Sequence, residues 1–316
     1  METWRQNSSI VSRLKAGGNY RDALSARLGF ERLFSAANFH PAAMPSNAIV
    51  CIKKLHAPAL EQQFASQNFQ LSLDWQSGVQ SEIEKLFRRA FRPIREAVPA
   101  QAESIFFADN SELLASLASD WCEGILAERW WWRSLFPNLN QAQTVARIWI
   151  EAAEFSPTAL QILTKQAKAL KFIRKLQPHE TNNLLRQIIR VFGLNYLQEA
   201  LFEPIGKQEK IDASLSKNLL KEPDISAETF FIDLSQKLSP WFQFITETQA
   251  AVLSFQQQSL LGIGLMLAHS PRIVRSAEFA RQTRAFRIEF EINKEITGQT
   301  KKSEEKEKQE IQKLYS

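Results

Sequence analysis

Cysteine is almost absent from these 316 residues. Cys51 and Cys122 both sit among apolar neighbours (Ile49-Val50-Cys51-Ile52 and Trp121-Cys122), and neither belongs to a CxxC pair. That excludes a disulfide framework, a zinc ribbon and thioredoxin-type chemistry, and it predicts buried free thiols in a reducing compartment. Histidine is nearly as scarce. His40, His56, His179 and His269 each stand alone, without HExxH or HxxxH spacing, so no metal centre is expected. Glycine, at 10 residues, is too thin for a phosphate cradle. Gly262-Ile263-Gly264 lacks both the third glycine of a dinucleotide fingerprint and the lysine of a P-loop, and no GxSxG elbow occurs. No cofactor and no catalytic residue are expected from motifs of this kind.

Long hydrophobic runs are missing too. Met1-Glu2-Thr3-Trp4-Arg5-Gln6-Asn7 has none of the apolar character of a signal peptide, and Leu260 to Ala268 is about half of what a bilayer-spanning helix needs. The expected chain is cytoplasmic, without a transmembrane segment. Charge of one sign is not in large excess: 39 lysines and arginines face 34 carboxylates, giving +5, too mild a balance to imply nucleic acid by itself.

What is present points to helix. Apolar residues make up 44% and charged residues 23%, as in ordinary globular chains, and leucine, alanine, glutamine, glutamate and lysine recur throughout. The expected fold is mainly α, with a small mixed α/β or α+β unit followed by a helical bundle. Residues 1–47 read as a loosely structured start with one or two short helices, interrupted by Gly17-Gly18, Pro41 and Pro45. The unit over 48–137 opens with Ala48-Ile49-Val50-Cys51-Ile52, a β-branched run bounded by Pro45 and Pro58. Phe69, Leu71, Leu73 and Trp75 alternate with polar residues and predict a second strand. Ile83, Leu86, Phe87, Ala90, Phe91 and Ile94 predict an amphipathic helix over roughly 79–97. Ser104-Ile105-Phe106-Phe107-Ala108 predicts a further strand, closed by an N-cap at Asp109-Asn110-Ser111.

Over 138–292 the pattern becomes helical and is punctuated by proline. Ser156-Pro157 starts one helix, carried through Leu160, Leu163, Ala167, Leu170, Ile173 and Leu176 until Gln177-Pro178. Another runs from Leu184 to about Phe202, and two more occupy 227–238 and 241–269 around Ser239-Pro240. No period of 30 to 40 residues recurs, so a solenoid is not supported. From about Asn293 the mixed-charge run Lys301-Lys302-Ser303-Glu304-Glu305-Lys306-Glu307-Lys308 predicts a disordered tail over 293–316.

Three constellations invite a functional reading. The first is Glu128-Arg129-Trp130-Trp131-Trp132-Arg133. On a single helix, Leu114, Leu117, Trp121, Ile125, Trp132 and Leu135 form one stripe and Trp130 falls on the opposite face, near Leu126 and Arg133. Either the helix is sandwiched between two layers, or Trp130, flanked by Arg129 and Arg133, faces a protein partner, since Trp and Arg are enriched among interface anchors. The second is Arg88, Arg92 and Arg95, spaced to share a helical face that could hold a phosphate backbone; Pro93 argues against that helix continuing. The third is Arg272, Arg275, Arg281, Arg284 and Arg287, diluted by Glu278, Glu289 and Glu291.

His40-Pro41-Ala42-Ala43-Met44-Pro45 leading into Ala48-Ile49-Val50-Cys51-Ile52, then Ile105-Phe106-Phe107-Ala108-Asp109 and the Trp130-Trp131-Trp132 block, resemble uncharacterised accessory proteins of phage-tail-like contractile injection systems. The Leu-Pro that precedes the paired tryptophans of the tape-measure family is absent before Trp130. The resemblance spans about a third of the chain, carries over no functional residue, and implies an assembly or structural role without catalysis. The expected function is therefore a non-enzymatic interaction or scaffold protein of a larger bacterial complex. The alternatives are a nucleic-acid-binding accessory protein using Arg88, Arg92 and Arg95, and an enzyme whose site assembles from scattered residues.

Overall fold

The protein is mainly α-helical, with one two-stranded antiparallel sheet among the residues that this computed structural model describes: Val11, 23–40, 43–56, 73–137, 142–206 and 239–294. The predicted 227–238 helix pattern lies wholly outside them, as do about half of the N-terminal segment 1–47 and the charged tail from 295 on. Contacts divide the chain into two compact units, Met1–Val145 and Ala146–Ser316.

In the first unit, α1 (Ala23–Ala36) precedes β1 (Ile49–Ile52), α2 (Leu73–Arg88), β2 (Ser104–Phe107) and α3 (Asn110–Glu123). The two strands pair in register from Ile49 opposite Phe107 to Ile52 opposite Ser104. The strand expected around Phe69 to Trp75 is not formed where it can be seen: Leu73 and Trp75 are helical, and 69–72 lie outside the described residues. A helical stripe overrides the short alternation. Trp75, Val79 and Ile83 recur every four residues and are all buried against Phe34, Phe39, Ile52 and Leu55. Trp75 meets both phenylalanines edge-on, at 5.9 and 6.3 Å.

The helix expected over 79–97 accordingly starts earlier and stops at Arg88. Pro93 cannot donate to a helical ladder and disfavours helix at Arg92. Phe91 instead bridges to β2, its N–H donating to the Ser104 carbonyl and its carbonyl accepting from Phe106 N–H. The predicted N-cap at Asp109 is formed, with its carboxylate accepting the Glu112 N–H at 2.9 Å. Helix α3 is buried from Ser111 through Cys122, so it runs through the unit rather than over it.

The second unit takes in most of α5 (Ala142–Glu151), then α6 (Ser156–Lys165), α7 (Ala169–Lys175), α8 (Pro178–Val191), α9 (Leu197–Phe202), α10 (Glu247–Ala250), α11 (Phe255–His269), α12 (Pro271–Val274) and α13 over 277–294. Proline begins α6 as the sequence predicts; Pro178, expected only to stop the preceding helix, also begins α8, where Gln177 with Glu180 forms a capping box. The single helix read through Leu160 to Leu176 is two helices, because Ala167 takes a left-handed φ of 57° between them. The pattern to Phe202 is likewise divided, at Gly193 with φ 67°. Helix α11 is the central element, packed against α6, α7, α8 and α12, and it is buried almost all round from Gln258 to Leu267. No helix among the described residues is long and apolar enough to cross a membrane.

Candidate functional site

The tryptophan block is not on the helix that carries Leu114 and Trp121. Gly124, at φ 80°, ends α3 with its N–H on the Asp120 and Trp121 carbonyls, and a single 3₁₀ turn (Leu126–Glu128) redirects the chain. Arg129 is extended, and a new short helix, α4 (Trp130–Leu135), begins after it. The one-stripe arrangement through Trp132 is therefore corrected: a left-handed residue and a change of helix intervene, and neither obeys a 100° step.

The turn lets three consecutive indoles take three different environments. Trp132 is fully buried, stacked on Phe107 at 5.5 Å and Phe136 at 6.4 Å, with its N–H donating to Asp120 Oδ2 at 2.7 Å. Trp131 is buried beneath the Arg129 guanidinium, 5.3 Å from its ring. Trp130 meets Trp131 edge-on at 5.9 Å and donates its N–H to the Ala102 carbonyl at 3.0 Å, yet it stays only half-buried. Arg129 is occupied as well: it donates to the Val98 carbonyl at 3.0 Å and stands 4.0 Å from Asp120 Oδ2. Arg133, in the last turn of α4, is exposed. The three residues singled out from sequence thus have different work. Arg129 and the edge of Trp130 pin α4 to the 98–102 loop, while the remaining ring of Trp130 and the whole of Arg133 face outward.

Arg88, Arg92 and Arg95 do not form one helical face. Arg88, the last residue of α2, pairs with Glu84 at 2.5 Å. Arg92 lies beyond the helix and turns inward, donating to the buried Glu112 at 2.6 Å beside the Phe106 ring; the second Glu112 oxygen accepts the Ala108 N–H. Arg95 is exposed in the turn that Pro93 imposes. The helical spacing fails at Pro93, and a carboxylate twenty residues away takes the central cation.

The third cluster is also largely structural. Arg281 pairs with Glu278 at 2.5 Å. Arg284 donates to the Glu199 carbonyl at 2.9 Å and the Pro204 carbonyl at 3.2 Å, and Arg287 to the Glu203 carbonyl at 2.8 Å and the Ala200 carbonyl at 3.3 Å. Two guanidinium groups therefore close the C-terminal end of α9, whose last carbonyls have no helical partners.

Averaging charge over the whole chain hides a different cationic face, on α7. Ala169, Phe172, Ile173 and Leu176 are buried, whereas Lys171, Arg174 and Lys175 are exposed. The signal that marks it in the sequence is the distance between carboxylates, since none occurs between Glu154 and Glu180. Among the described residues no group of three or more histidine, cysteine, aspartate or glutamate side chains is placed to hold a metal ion. Comparison with protein-family models, with curated proteins and with solved structures finds no match.

Proposed function

We propose that the protein is a non-enzymatic interaction or scaffold protein, a cytoplasmic component or assembly factor of a larger bacterial complex. Trp130 is the observation that carries this reading. Its indole is held by the bond to the Ala102 carbonyl and by the edge of Trp131, so the ring surface left outside is presented in one orientation beside the exposed Arg133. An aromatic ring ordered before binding loses little entropy on association, and tryptophan and arginine are both enriched among interface anchors. The resemblance of 41–136 to accessory proteins of contractile injection systems implies work of the same kind.

Native-host purification of the tagged full chain tests it. Wild type should co-elute with a defined partner, and Arg133→Glu and Trp130→Ala should each lose that partner. Arg133 is exposed, so its reversal leaves the thermal melt unchanged and separates loss of contact from loss of fold. A partner complex of unaltered composition with both variants would overturn the reading.

A further inference from the structure

A second surface, in the other unit and independent of Trp130, lies in the stretch of sequence that holds the chain's excess positive charge. Between Glu154 and Glu180 the sequence holds Lys165, Lys168, Lys171, Arg174, Lys175 and His179 and no carboxylate side chain. Extended to residue 198, the interval has seven lysines and arginines against Glu180 alone, a net +6 in a chain whose total is +5. The rest of the protein is close to neutral. Glu180 does not offset the cluster at the surface, because it is buried and accepts the Gln177 N–H at 2.8 Å.

The fold turns this composition into a face. Residues three and four apart on a helix are neighbours, so Lys171, Arg174 and Lys175 stand together on the outer side of α7, with exposed Lys165 ending the preceding helix. Lys165, Lys171 and Arg174 make no ion pair or side-chain hydrogen bond among the described residues. Five exposed cations elsewhere pair with a carboxylate on their own helix: Arg27 with Glu31, Lys85 with Glu82, Arg88 with Glu84, Arg147 with Glu151 and Arg281 with Glu278.

We infer that this face binds the phosphodiester backbone of double-stranded nucleic acid without reading base sequence. A cluster of exposed cations drawn from a stretch of sequence without carboxylate side chains is complementary to a regular polyanion. The exposed side of α7 offers no aromatic ring on which unpaired bases could stack and no apolar side chain to enter a lipid layer. The large exposed apolar residues of this unit, Val191, Tyr196, Phe242, Val252 and Ile273, all lie outside α6 and α7, so the face also lacks the apolar centre of a protein interface.

Fluorescence anisotropy of the full chain with short labelled DNA and RNA duplexes, over a salt series, tests the inference. The duplexes should bind at low salt regardless of sequence, with log K falling against log salt at a slope of about −3 to −4, as about four phosphate contacts require. Lys171→Glu/Arg174→Glu/Lys175→Glu should weaken binding at least tenfold and flatten the slope, whereas Arg281→Glu should change neither. If the triple reversal does not fold, Lys171→Gln/Arg174→Gln carries the same expectation. Absence of duplex binding at low salt, binding unaffected by the α7 variants, or preference for phosphatidylserine vesicles or polyglutamate over the duplexes would overturn it. Because the partner complex that depends on Trp130 is measured separately, either reading can fail alone.

Discussion

The indole N–H of Trp132 donates to Asp120 Oδ2 at 2.7 Å, tying α4 back onto α3 across the turn that Gly124 opens. Both side chains are buried, and the Asp120 carboxylate also stands 4.0 Å from Arg129 Nε. This carboxylate is what allows a polar edge of the tryptophan block to enter the core. Asp120→Ala leaves the indole N–H without its acceptor and should cost about 1–3 kcal/mol in urea unfolding. Asp120→Asn keeps an oxygen in place and should recover most of that loss. Equal destabilisation by the two variants would show that charge opposite Arg129, rather than the bond to Trp132, dominates.

Gly262 and Gly264 lie mid-helix in α11 and differ in what faces them. A Cβ at 262 would come within 2.3 Å of Trp241 Cγ and 2.7 Å of its Cβ, whereas one at 264 would meet only Leu160 Cδ1, at 2.5 Å, with the next atom at 3.8 Å. The Trp241 ring is buried and fixed near its root, while a leucine methyl can rotate away. Alanine gains about 1 kcal/mol of helix propensity over glycine, and overpacking a core costs about 1–3 kcal/mol. Gly262→Ala should therefore be the less stable variant, and Gly264→Ala close to neutral. The reverse order in thermal melts would contradict this account of the close approach between α11 and Trp241.

Arg284 and Arg287 hold α13 to the end of α9 through carbonyls that would otherwise face solvent. Arg284→Ala/Arg287→Ala should destabilise the second unit by about 1–2 kcal/mol, reduced by the partial exposure of these groups. Amide exchange should accelerate over 197–206 more than in α11. Lysine at both positions should restore little, because one ammonium cannot span two carbonyls as the planar guanidinium does. Protection over 197–206 that stays at the wild-type level would remove the arginines from the account of how α9 ends.

Features legible in the sequence were the ones whose cause is local. The β-branched run at β1, the Asp109 cap and the proline that begins α6 each act within a few residues, and each is where its pattern indicates. Features with a distant cause were misread. The Leu73–Trp75 alternation yielded to a stripe completed by Phe34 and Phe39, and α2 ends where Phe91 pairs with β2. Nothing in the residue type marks Ala167 as left-handed. At the candidate site the tryptophan block was conspicuous, but which indole keeps an outer face depends on the turn at Gly124. Arg92 was drawn out of its supposed basic face by Glu112. The α7 cations were missed: the signal that marks them is an interval without acids, which whole-chain charge averages away.

Burial pushes the Cys51 thiol up from an ordinary value of 9.0 to about 12, because a thiolate in the middle of β1 would have to be desolvated. The folded state therefore holds a proton that the unfolded state releases more readily, so its stabilising contribution is complete below about pH 9 and is lost as pH rises toward 12. Within that window the loss should approach about 1.4 kcal/mol per pH unit, since this is the free energy of one proton per unit of pH. Lysines and tyrosines also titrate there, but they do so equally in Cys51→Ala. The difference in urea midpoint between wild type and Cys51→Ala should consequently shift against the wild type from pH 9 upward and stay constant below it. Native protein at pH 8 should also leave Cys51 unreactive toward a disulfide reagent that titrates it fully in denaturant. Parallel pH profiles for the two proteins would mean that the thiol ionises within the fold.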